Sequence, residues 1–286
     1  MPAKRKSAKK ANATQDSPDL SSPLALLERM MQEIGIPEEL SETNEERAQM
    51  RFYDAMEAET PQEMMKILEE VLRLDPDNVD ARLVVLGLAK PGETDEIESL
   101  RNIVETAARK LGPKGFAEYK PHFWGFLETR PYMRARQQLA EELESAGRLE
   151  EAVKEYEGML ELNPNDNQGV RYSLLACYLA LDQRAEARAL IKRYPNDVKY
   201  NPVFAWGVVL LRYLTPRKTG LENALAAARK QNPHLEAYLK GHRRVPKNLP
   251  NGYTLGSKEE AICYAGNVIM AWHRHHEALG WLVSQK

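Results

Sequence analysis

Residues 206–213 read WGVVLLRY, with Trp206 followed at +3, +4 and +7 by Val209, Leu210 and Tyr213. Steps of three and four residues put those side chains on one face of a helix. Moving 35 positions upstream, residues 171–178 (RYSLLACY) repeat the spacing with Arg171, Leu174, Leu175 and Tyr178. Another 35 positions upstream, residues 136–143 (RQQLAEEL) place Arg136, Leu139, Ala140 and Leu143 in the same slots. One helix recurring at a fixed interval is the mark of a repeat array, not of a single globular core.

A second helix follows each of these. Ala152, Tyr156 and Leu160 recur at helical spacing, then Ala187, Ile191 and Tyr194, then Leu221, Leu225 and Ala228. The third set slips in register, since Glu222 stands where the period asks for alanine. Pro164, Pro195 and Pro233 close the units, because proline lacks the donor that would extend a helix. Small residues are expected where paired helices cross, and Ala140, Ala152 and Ala187 hold such positions. Asn165, Asp166 and Asn167 are available to cap the helix that follows. The set from Trp206 to Tyr213 fits the tetratricopeptide first-helix pattern, with Leu210 in place of its glycine, and the usual period is about 34 residues.

Upstream the pattern is looser. Residues 45–58 and 61–74 predict an antiparallel helix pair ending in LDPDN, close to the LNPND of residues 162–166. Residues 79–89 and 93–111 predict another, and Phe52, Leu68, Val71 and Leu72 suit a repeat core. These are read as diverged repeats, the alternative being an unrelated helical bundle packed on the array. Downstream, Ser257 with Glu260 predicts a capping box. Ala261, Tyr264, Ala265, Val268 and Trp272 then form one apolar face, suited to covering the last repeat. The Pro/Gly-rich stretch RRVPKNLPNGYTLG (243–256) predicts an extended connection. The fold class is therefore all-α, a tetratricopeptide-like helical-repeat solenoid with a C-terminal capping helix. Its parts are a polar basic tail (1–22), diverged helical repeats (23–112), tetratricopeptide-like repeats (113–240), and a connection with capping helices (241–286).

FWGFLETRPYMRARQQLA (123–140), NPHLEAYL (232–239), GSKEEAICYAGNVIMAW (256–272) and HEALGWL (276–282) resemble the suppressor of tumorigenicity seven family and its bacterial relatives. The resemblance implies a tetratricopeptide-type fold. It carries over no catalytic or binding residue, since none is defined for that family. Its animal members are membrane-anchored, but no run here reaches the roughly 18–20 apolar residues that span a bilayer. The best run, 202–211, is short and stopped by Arg212.

Composition narrows the function. The 286 residues are 43% hydrophobic, enough for a continuous core, and 40 basic against 42 acidic residues leave a formal charge of −2. Such balance gives no whole-molecule attraction to nucleic acid or anionic lipid. The basic run KRKSAKK (4–10) reads as a solvated arm, with a nucleic-acid contact as the sharper alternative. Cys177 and Cys263 lie far apart, with no metal or redox spacing, and a reducing cytoplasm is the expected compartment. His273, His275 and His276 do not complete the three or four ligands that zinc needs, so no metal and no cofactor are expected. Phosphate-cradling loops, G-x-S-x-G and H-E-x-x-H are missing from the sequence, and no catalytic residue is assigned.

The remaining question is the stretch from His122 to Arg136. Phe116, Phe123, Phe126 and Trp124 read as a seal between the diverged helices and the regular array, with a new helix starting near Thr129 or Arg130 ahead of Pro131. Groove positions on successive first helices are Arg134 and Gln137, Gly169 and Tyr172, and Phe204 and Gly207. One turn on come Glu141, Ala176 and Leu211. The groove is thus expected to be charged at its N-terminal end and apolar at the other. Arg134 with Gln138 makes only half of a carboxylate clamp, and the next units lack the bases to complete it. The expected function is non-enzymatic recognition of a protein or peptide partner in the groove, with Arg134, Gln137, Glu141 and Tyr172 as contacts. The alternatives are nucleic-acid association through the tail with Arg130, Arg134, Arg136 and Arg171, or service as the regulatory partner of an enzyme. The groove could instead be filled by the chain's own residues 24–34 or by the C-terminal connection.

Overall fold

The computed structural model describes residues 43–89 and 95–285. The basic tail, the 24–34 segment and the start of the helix expected from 93 lie outside the described residues. The described residues form helices α1 (Asn44–Glu57), α2 (Pro61–Leu74), α3 (Val79–Leu88), α4 (Glu96–Tyr119), α5 (Arg130–Ser145), α6 (Leu149–Leu162) and α7 (Val170–Ala180). They continue through α8 (Arg184–Arg193), α9 (Asp197–Tyr200), α10 (Pro202–Tyr213), α11 (Leu221–Gln231), α12 (Leu235–Leu239), α13 (Lys258–His273) and α14 (His276–Ser284). No strand occurs among the described residues.

The 35-residue period becomes three helix pairs, α5 with α6, α7 with α8, and α10 with α11, each also packed on its neighbour. Leu139, Ala140, Leu143, Ala152, Tyr156, Leu174, Tyr178, Ala187, Trp206 and Val209 are all buried, and Tyr213 packs half-buried beside them. The close approach between successive first helices comes from Gly207, where an added Cβ would stand 3.2 Å from the side chains of Leu175 and Leu179 on α7. The chain is therefore an all-α helical-repeat solenoid.

Three turns share one construction. Asp75, Asn163 and Asn232 each end a helix by donating their backbone N–H to the carbonyl four residues back. A proline follows each of them. Asn78 then caps α3 through the Ala81 N–H (3.0 Å). Asp166 caps α7 through the N–H groups of Val170 and Arg171 (2.9 and 3.0 Å). Of the three expected capping residues, Asp166 makes these bonds; Asn167 instead accepts from Asn163. The turn after α2, in LDPDN, is thus built like the turn after α6, in LNPND.

Helix α4 is interrupted at Gly112 (φ 59°, ψ 172°), and Pro113 opens a further segment ending at Tyr119. Phe116, Phe123 and Tyr132 then meet at centroid distances of 5.2–6.1 Å. Thr129 precedes α5 without capping it; its hydroxyl donates to the Phe123 and Phe126 carbonyls, the latter at 3.0 Å. Two hydrophobic clusters result among the described residues. The larger runs from α3 to α14; the smaller holds Ala48, Phe52, Ala55, Ile67, Leu68, Val71 and Ala81. Helix α3 feeds both, with Val79 and Leu83 in the larger and Ala81 in the smaller.

Helix α13 does more than close the end of the array. It packs on α7 and α10, the first helices of two successive units. The capping box at its start is half formed. Ser257 accepts the Glu260 N–H at 3.1 Å, but the Glu260 carboxylate turns to the Gly256 N–H and the Asn232 amide, both at 2.8 Å. Asn232, in the turn after α11, also donates to the Ser257 carbonyl (2.9 Å), and the Ser257 N–H donates to the Thr254 carbonyl (3.1 Å). Among the described residues no helix is long and apolar enough to cross a membrane.

Candidate partner-binding site

In a helical-repeat array the first helices line the inner face, which is the usual binding surface. Here α13 lies across the C-terminal part of that face. Trp272 meets Trp206 edge-on at 5.9 Å, Tyr264 meets Tyr172 at 5.4 Å, and the Asn267 amide donates to the Ser173 hydroxyl at 3.0 Å. The His275 Nε2 sits 2.7 Å from the Leu179 carbonyl at the end of α7. The apolar groove positions Ala176, Phe204, Gly207 and Leu211 are consequently buried. The apolar end anticipated for a partner is taken up by the chain's own fold, much of it by α13 rather than by the connection before it.

What stays open is polar and tyrosine-lined. A cleft of about 440 Å³ is bounded by Gln137 and Glu141 of α5, Tyr172 of α7, Tyr253 of the connection, and Tyr264 and Asn267 of α13. Gln168 donates to Gln137 (2.6 Å), and Gln137 donates on to Glu141 (2.8 Å). The hydroxyls of Tyr253 and Tyr264 lie 2.7 Å apart. Arg171 stacks over Tyr172 (4.3 Å to the centroid) and is held by Asp166 and Asp197 at 2.8 and 2.5 Å. Burial pushes the Tyr172 hydroxyl up to about 12, and burial with the Tyr253 hydrogen bond raises that of Tyr264. Both are neutral phenols at physiological pH.

Beneath the cleft the Tyr156 hydroxyl donates to Glu144 at 2.9 Å, with the Cys177 sulfur 3.9 Å from the same oxygen. Burial raises the Glu144 carboxyl above its ordinary range. Burial also pushes the Cys177 thiol up, so it remains an unreactive thiol.

The four expected contacts divide. Gln137, Glu141 and Tyr172 share the cleft. Arg134 borders a separate one and holds Asp80 with both arms of its guanidinium, Nε to Oδ1 at 2.8 Å and Nη2 to Oδ2 at 2.5 Å. The other arginines considered for nucleic acid are also engaged. Arg136 pairs with Glu155 at 2.8 Å, Arg171 with its two aspartates, and Arg130 donates to the Trp124 carbonyl at 3.0 Å. Tyr253, Tyr264 and Asn267 were not legible as site residues. They precede or lie within a helix read as a terminal plug, and a sequence period says nothing about which face such a helix covers.

A family model for the tetratricopeptide repeat matches residues 143–202, from the end of α5 to the start of α10. The matched region holds α6, the α7–α8 pair and α9 in full. No curated protein and no solved structure matches the chain.

Proposed function

We propose that this chain is a non-enzymatic interaction scaffold that holds a partner protein's segment in the cleft between α5, α7 and α13. The observation that carries the reading is the makeup of that cleft. Tyr172, Tyr253 and Tyr264 surround it beside the Gln137–Glu141 pair, on the face where repeat arrays bind. Tyrosine supplies broad contact area at low entropic cost and a hydroxyl for hydrogen bonding, which is why it is enriched at interfaces. With the apolar positions covered by α13, recognition rests on hydrogen bonds and ring contacts. Gln137 and Glu141 are the direct contacts, Tyr172 supports the wall, and Arg134 fixes the neighbouring helix through Asp80.

Affinity capture from the native host with wild type, Glu141→Arg and Tyr253→Ala tests this. Both side chains are exposed, so the variants keep the fold. The expected result is a set of captured proteins depleted about tenfold by either change, a loss of roughly 1.4 kcal/mol. Equal capture by all three places the contact surface elsewhere.

A further inference from the structure

Charge and ring geometry narrow what the cleft between α5, α7 and α13 can take. Glu141, Asp166 and Arg171 are the carboxylates and the guanidinium that line it. Arg171 is committed, since Asp166 and Asp197 both hold it. Glu141 is exposed, and the Gln137 amide that donates to its Oε1 at 2.8 Å is neutral. The arginines nearest to it in sequence are engaged elsewhere, Arg134 by Asp80, Arg136 by Glu155 and Arg148 by Glu151. The lining is therefore left with a net negative charge, carried by Glu141.

The rings beside it favour the same kind of ligand. Tyr264 is met edge-on by Tyr172 at 5.4 Å and 81°, and by Tyr253 at 5.6 Å and 75°. Rings so crossed do not close into a stack, and all three border the cleft. The face of an aromatic ring is negative and attracts cations. The chain already uses this attraction at Tyr172, where Arg171 lies 4.3 Å from the centroid. Among the described residues the other cation–ring contacts fall on Trp124, Tyr132, Tyr194, Tyr200 and Tyr213, not on Tyr253 or Tyr264. Tyr253 is 44% exposed. An acidic segment would meet Glu141 unfavourably, and an aliphatic one finds the apolar groove positions covered by α13. A basic side chain gains twice, through its charge on Glu141 and through its methylenes along the rings.

We propose that the partner segment enters this cleft with a lysine or arginine side chain, its charge set against Glu141 and the rings of Tyr253 and Tyr264. The proposal rests on the reading of this cleft as the partner site and names the chemistry it selects. The test titrates the full chain with blocked alanine pentapeptides that carry lysine, arginine or norleucine at the centre, and follows the ring NMR signals of Tyr253 and Tyr264. Norleucine keeps the methylenes of lysine without its charge. At least one basic peptide is expected to bind about fivefold or more tightly than the norleucine peptide. Glu141→Gln and Tyr253→Leu, both on exposed side chains, should each cut that preference by at least about half. Equal binding of all three peptides, or binding of neither basic one, overturns the proposal, as does a preference that either substitution leaves whole. Lost capture of partners by Glu141→Arg and Tyr253→Ala, with neither basic peptide bound, keeps the partner reading and removes this one. Equal capture by those variants, with a basic peptide bound as expected, removes the partner reading and keeps the cation seat.

Discussion

Asp80 is 4% exposed in the first turn of α3 and is matched by Arg134 of α5 across 54 positions of sequence. Removing one partner of a buried pair strands the other charge. The cost is about 3–5 kcal/mol for a fully buried pair, and less here because Arg134 is 39% exposed. Arg134→Ala is expected to lower unfolding stability in urea by about 1–3 kcal/mol. Asp80→Ala in the same chain should restore part of the loss, and strictly additive losses would show that the pair is not coupled. Glycine offers a second contrast. Gly266 sits on the exposed side of α13 with nothing within 4 Å of an added Cβ, so Gly266→Ala should raise stability by about 0.5–1 kcal/mol. Gly207→Val forces branched carbon against Leu175 and Leu179 and should cost about 1–3 kcal/mol. The residues that hold the repeats together were readable because burial recurs with the period; Leu139, Leu174 and Val209 are each 2% exposed or less. The Asp80–Arg134 pair was not readable. One carboxylate in a first helical turn looks like any other until the fold shows which helix stands opposite.

Helix boundaries came largely from proline and glycine, whose backbone limits act locally. Pro131 and Pro202 open α5 and α10, and Gly112 breaks α4 where the sequence placed an end. The position of α13 is a longer-range matter. Its apolar stripe announced burial but not the surface beneath it, and two units expose similar first-helix faces. Trp272 is 1% exposed against Trp206, so Trp272→Ala is expected to cost about 3–5 kcal/mol and to loosen α13 from α7 and α10. Thermal melts read the loss, and hydrogen exchange in α13 locates it; a cost below about 1 kcal/mol would make α13 a loosely docked flap. Under the same interface, burial raises the Glu144 carboxyl above its ordinary 4.5. The folded state therefore binds this proton more tightly than the unfolded chain does. Its contribution to stability is full below the ordinary value and declines as pH rises through the raised one. Glu144→Gln keeps an acceptor for the Tyr156 hydroxyl and removes the charge. The variant should melt higher than wild type at pH 8, with the gap narrowing toward pH 4. A constant gap across that range would show that Glu144 is not titrating in the folded protein.

Across the whole molecule, stability is divided unevenly. The larger cluster runs without interruption from α3 to α14, whereas α1 and α2 depend on seven buried residues and one shared wall of α3. Repeat arrays gain stability from intrinsic units and nearest-neighbour interfaces, so an end unit with a small core opens first. Helix α3 ties this unit to the rest, together with Lys110 of α4, which meets Asp75 at 2.7 Å and Glu45 of α1 at 3.6 Å. Leu68 is fully buried at the centre of the smaller cluster, and Leu68→Ala should cost about 2–5 kcal/mol there. The four tryptophans, at 124, 206, 272 and 281, all belong to the larger cluster or pack against it. In Leu68→Ala, amide exchange in α1 and α2 should therefore accelerate while the midpoint reported by tryptophan fluorescence stays where it is. If the fluorescence midpoint falls together with protection in α1 and α2, the two clusters unfold as one unit. In that case α3 transmits the loss along the array, and the cleft between α1 and α5 is a rigid seat rather than a joint between two separately stable parts.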